Sequence, residues 1–260
     1  MTSERPGVGQ NGPMTEPREQ HPGRLRAMRI LAVVMAVFAI GFGLFTIVFG
    51  ILSPEQEPHA FHNAVVAALL IVISAPPVVQ VARVPERPTR PLVILAVIGV
   101  AALVTMALSL TLDPFTLPFV VLVGVLWALA SRHDELVPPG QPSVLVAAVS
   151  VVAAVVLIPY AVGQAELQRT DDTSEHAAFF HWVEMSFYAA AIPLLGLLTA
   201  ARPGAYRLAG WCAGVALVVI GAASVLLAEY PSALTAPFSW VALAAGVALV
   251  VVTELAARDR

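Results

Sequence analysis

The stretch 61–83, FHNAVVAALLIVISAPPVVQVAR, and the stretch 180–202, FHWVEMSFYAAAIPLLGLLTAAR, open on the same Phe-His pair and close on the same Ala-Arg pair. Phe61-His62 recurs as Phe180-His181, and Ala82-Arg83 as Ala201-Arg202, at a constant offset of 119 residues. Further along, Thr116-x-Pro118-Phe119 recurs as Thr235-x-Pro237-Phe238 at the same offset. Landmarks that keep one spacing without a gap predict a duplicated unit. Each stretch is an apolar run long enough to cross the roughly 30 Å of bilayer hydrocarbon as a helix, which takes about 20 residues.

The rest of the chain agrees. Its 260 residues are 58% hydrophobic and 12% charged, about half the charge of a soluble domain. The mean hydropathy is +0.84. Eight spans are expected: Ile30–Leu52, Ala60–Val81, Pro91–Leu112, Pro114–Ser131, Ser143–Gly163, Ala177–Ala201, Leu208–Ala228 and Ser232–Thr253. The runs lack the alternation of barrel strands, and unpaired backbone cannot sit in lipid, so the predicted fold is an all-α polytopic membrane bundle. The fourth span is the shortest.

Four spans per half is an even number, so the halves are expected to be parallel repeats about an axis along the membrane normal. The first repeat covers residues 24–135 and the second 143–256, joined by the link Arg132–Pro142 with its Pro138-Pro139-Gly140. Residues 1–23 are rich in Pro, Gly, Glu and Gln without apolar periodicity, the composition of a disordered tail. The apolar run that follows is too long for a signal peptide and no cleavage site ends it.

All basic residues are arginine, which suggests a bacterium of high GC content. With the tail inside, thirteen arginines fall in the tail, the links 82–90, 132–142 and 202–207, and the C-terminus, while Arg169 alone lies opposite. This predicts a multi-pass protein of the bacterial inner membrane with both termini cytoplasmic. The outer links are acidic. Trp127, Trp182, Trp211 and Trp240 fall near span ends, where amphipathic rings prefer the headgroup level. The single Cys212 lies in an apolar run and excludes an intrachain disulfide or a cysteine-based cluster.

One constellation carries chemistry. Of six histidines, His59 and His62 open span two, one helical turn apart, while His176 and His181 open span six. Glu184 lies one turn below His181, and carboxylates inside spans usually face the bundle interior with a partner. Imidazole and carboxylate suit a divalent ion, with His59, His62, His181 and Glu184 as candidate ligands. His62 and His181, the repeat-equivalent pair, are the candidate cofactor ligands, since paired histidines also hold haem iron. Haem and a divalent metal both stay open, as do a proton-linked role and plain helix-end histidines in the headgroup region. Pro76-Pro77 and Pro193 interrupt spans two and six at similar depths, a pattern that marks binding sites in transporter repeats.

Eight spans in two halves with histidines at the outer ends of spans two and six resemble the layout of the haem A synthase family, which implies haem-dependent oxidation. The chain departs from that family in spans four and eight, which carry no histidine, and in lacking Glu-x-x-His-Arg in span two.

Phosphate-binding glycine loops, a Walker lysine, His-Glu-x-x-His and G-x-S-x-G are all absent. Nothing points to nucleic acid. The reading that follows is a non-enzymatic integral membrane protein with a structural, assembly or partner-binding role and a His/Glu site at the outer ends of spans two and six. Its partners are the lipid bilayer and a membrane protein or second copy. The alternatives are a small-solute transporter or a haem- or metal-binding membrane oxidoreductase.

Overall fold

A computed structural model describes residues 21–52, 59–130, 141–171, 173–202 and 204–258. The chain is helical, in the order α1 (Pro22–Leu52), α2 (Ala60–Leu69), a π-helical turn (Leu70–Ser74), α3 (Ala75–Arg83), α4 (Thr89–Ser109), α5 (Thr116–Leu129), α6 (Val144–Thr170), α7 (Glu175–Ala178), α8 (His181–Ala201), α9 (Arg207–Leu226) and α10 (Ala236–Arg258). Seven of these units are long and apolar enough to cross a membrane: α1, the continuous α2–α3 rod, α4, α6, α8, α9 and α10. The expected fourth span is α5, whose 14 residues reach only about 21 Å at 1.5 Å per residue. The expected tail overlaps α1 by two residues. Pro22 and Gly23 already belong to α1, because proline suits a first helical turn. Residues 1–20 of the tail and most of the link at 132–142 lie outside the described residues.

Where the apolar side chains point identifies the solvent. Val37, Phe38 and Phe45 on α1 are 66%, 64% and 61% exposed, on helices whose buried faces are lined with alanine such as Ala32, Ala102, Ala189 and Ala213. Outward-facing Val and Phe above alanine contacts suit helices packed in lipid, with larger side chains such as Leu95, Ile98 and Ile192 filling the rest of the core. The bundle therefore contacts the bilayer as a multi-pass membrane protein. The small residues set the closest approach. α9 and α10 form the most extensive helix pair, and a Cβ added to Gly246 would lie 2.7 Å from the Gly214 carbonyl oxygen.

Charged side chains tie the helices at one end. Arg24 Nη2 donates to the Ala128 carbonyl at 2.8 Å, joining the start of α1 to the end of α5. Arg29 lies 3.7 Å from Glu86. Arg207 donates to both oxygens of Glu254 at 2.5 and 2.7 Å, and Trp211 Nε1 to the same carboxylate at 2.6 Å. The opposite end carries the starts of α2, α5 and α8, with α7 between.

Two local departures from regular helix shape that second end. Pro76 and Pro77 have no N–H to give to the preceding turn. The Ala75 N–H bonds the Leu70 carbonyl five residues back, and a π-turn, not a sharp break, carries α2 into α3. Pro193 stays inside an unbroken α8. The expected span 177–201 is interrupted at Phe180, which has φ of 63°. Left-handed backbone costs an L-residue about 1–2 kcal/mol. Only tertiary packing holds it there, so no local sequence signal could have shown it.

Candidate metal centre

The starts of α2 and α8, with α7 between them, bring His59, His62, His176 and His181 together. His62 and His181 stack with ring centroids 4.1 Å apart and planes 22° apart. His59 lies 4.5 Å from His176 and 5.0 Å from His181, and His176 lies 5.6 Å from His181. Phe180 is the reason His176 joins. In an uninterrupted helix, residues five apart point about 140° apart, so His176 and His181 would face opposite ways. The left-handed residue ends α7, turns the chain and starts α8, folding the His176 ring back toward His181 and His59.

Gln168, near the end of α6, braces this turn. Its Nε2 donates to the Ala177 carbonyl at 2.9 Å, and its Oε1 accepts from the Val183 N–H at 3.3 Å. Asp171 accepts from Ser174 N at 3.1 Å and from the Ser174 hydroxyl, and Ser174 Oγ caps α7 by accepting from Ala177 N at 3.2 Å. Asp171 is therefore committed to the loop. The bond to the Ser174 hydroxyl holds its carboxyl below the usual range. Trp182, the second residue of α8, is buried against His176 with ring centroids 4.9 Å apart.

Four of the ring nitrogens lack protein partners. His62 is 2% exposed, and both Nδ1 and Nε2 are buried without a hydrogen bond. His59 Nδ1 and His181 Nδ1 are buried and unpartnered as well, while His59 Nε2 meets Glu175 Oε2 at 3.3 Å. Buried polar atoms normally have partners, and each orphan calls for an explanation, a bound ion being one. Two triads could hold a cation: His59, His176 and His181, and His62, His181 and Glu184, each with its ligand atoms within 4.8 Å of one another. Ligand atoms around tetrahedral zinc lie about 3.4 Å apart, within reach of modest side-chain rotation. Burial, followed by the neighbouring His59, lowers the pKa of His176, against the raising influence of Asp171 and Glu175. Its ring is thus neutral near pH 7, the form that ligates.

Glu184 lies in the first turn of α8 and is shallower than a mid-span position. Asp113, at the start of α5, is 1% exposed and accepts from Phe115 N at 2.9 Å, Thr116 N at 3.2 Å and the Thr116 hydroxyl. It is close enough to interact electrostatically with Glu184. A buried aspartate beside the site could not be read from spacing.

Haem does not fit the central pair. Two imidazoles on opposite sides of one iron place their centroids about 6 Å apart with the porphyrin between. Stacked rings at 4.1 Å leave no slot for a macrocycle. No protein-family model matches the chain, and no curated protein or solved structure matches it either.

Proposed function

We propose that this chain is a non-enzymatic membrane protein that binds a divalent transition metal of the zinc or copper class at the outer end of an eight-helix bundle. The observation that carries the reading is His62, a buried imidazole with both nitrogens unpartnered, placed against His181 and Glu184. Nitrogen ligands with one carboxylate suit borderline ions and not Mg²⁺ or Ca²⁺. Bound there, the ion would tie α2 to α8 and so clamp one half of the molecule to the other.

The eighth crossing and the parallel repeat belong to this proposal. The bond from Arg24 to Ala128 supports α5 as a crossing, since it puts the end of α5 on the arginine-bearing face and its start near the histidines. The repeat reading is supported by packing partners that exchange between halves: α1 against α2–α3 as α6 against α8, and α4 against α5 as α9 against α10. The arginines at one end favour that end as cytoplasmic, which places the histidines outside.

Titration of Zn²⁺ into detergent-purified protein tests the reading. The wild type is expected to bind and the His62→Ala/His181→Ala variant not to bind. Equal binding by both would overturn it. A second reading, export or uptake of the ion, draws support from the π-turn, where buried Ser74 lies below the site, since such turns recur at functional positions.

A further inference from the structure

The two candidate triads have one member in common, and this sets how many ions the centre holds. We infer that His59–His176–His181 and His62–His181–Glu184 are two positions for one divalent cation, a rim position and a deeper one, occupied one at a time because both require His181. The inference rests on the metal-centre reading above.

The geometry orders the two positions. His59 precedes α2 and His62 lies within its first turn; His176 precedes α8 and Glu184 lies within its first turn. The rim triad is therefore all imidazole and lies beside Glu175, whose side chain is 80% exposed. The deeper triad replaces one imidazole with a carboxylate. A neutral imidazole has a single nitrogen lone pair, the other nitrogen carrying the proton. His181 can thus complete one triad or the other, and serves both only if it is deprotonated to imidazolate. The stacked His62 and T-shaped His59 rings approach His181 at 4.1 and 5.0 Å, so a change of rotamer, with no helix movement, switches the triad it joins. The rim position captures a cation from the outer side and His181 carries it down. The deeper position is the resting one because there the anionic carboxylate offsets the charge of a cation held away from water.

The test compares Zn²⁺ stoichiometry and zinc X-ray absorption in full-length wild type, His176→Ala and Glu184→Gln. The wild type is expected to bind one Zn²⁺ per chain with two imidazoles in its shell. His176→Ala should keep that spectrum and slow uptake. Glu184→Gln should still bind one Zn²⁺, now with three imidazoles. Two ions per wild-type chain would overturn exclusive occupancy. Loss of binding in both single variants would also overturn it, in favour of one composite site. No Zn²⁺ on the wild type would remove the metal centre itself, a result distinct from either.

Discussion

His62 of α2 and His181 of α8 stack face to face at 4.1 Å, although 119 residues separate them in the chain. Each is the second residue of a repeated Phe-His pair, so the contact joins equivalent points of the two stretches. Two imidazoles held this close, with buried nitrogens unpartnered, do not stabilise a fold by themselves. An unsatisfied buried polar atom costs about 1–3 kcal/mol. On the metal reading, a cation that accepts their lone pairs would offset that cost.

That cost gives a prediction with opposite signs in two conditions. Without metal, His62→Leu should be at least as stable as the wild type, because it removes both orphaned nitrogens. With Zn²⁺ at a hundred times its dissociation constant, the wild type should gain about 2.7 kcal/mol and the variant less, since only the rim triad is left to it. Thermal unfolding in detergent, with chelator and then with Zn²⁺, reads both.

His176 sets a pH window. Its native pKa is lowered by burial and by His59, with Asp171 and Glu175 opposing, and His62 and His181 also face it. As pH falls below about 6.5, the unfolded chain takes up a proton that the native site resists. Stability is therefore complete above 6.5, declines as pH falls toward the lowered native value, and takes no further loss from this group beneath it. His176→Ala should flatten the decline in metal-free protein, as followed by melting temperature across pH 5–8.

Phe180 should behave as a backbone device. Glycine tolerates positive φ and alanine does not, so Phe180→Gly should be more stable than Phe180→Ala by about 1 kcal/mol. Phe180→Pro, confined to φ near −65°, should rebuild the turn, separate His176 from His181 and abolish rim-triad binding. Unfolding and Zn²⁺ uptake measured on the three variants separate these effects.

Packing away from the site supplies a control. Gly246→Val would drive a side chain into the Gly214 carbonyl and Val218 N, both 2.7 Å from a Cβ at that position. Overpacking of this kind costs about 1–3 kcal/mol. The melting temperature should fall while the metal-induced shift stays unchanged.

Much of this was legible in the sequence because it rests on run length and polarity. The apolar stretches became helices, and Phe61-His62 and Phe180-His181 sit at the starts of α2 and α8. His59, His62 and Glu184 gather around His181 because helix ends and one-turn spacings put two of the four residues at the start of each helix. What was not legible depends on tertiary contacts. The left-handed Phe180 brings in His176, Gln168 braces the turn across from α6, and Asp113 is buried beside the site. The π-turn at Leu70–Ser74 was readable only as a proline interruption, since sequence does not say whether missing N–H groups kink a helix or widen it.

Elemental analysis with an absorbance spectrum of detergent-purified protein, beside the His62→Ala/His181→Ala variant, tests the central claim most directly. A single equivalent of zinc- or copper-class metal, without a Soret band and missing from the variant, is the result predicted. Metal-free wild type that takes up no added Zn²⁺, or a Soret band in the wild type, would contradict it.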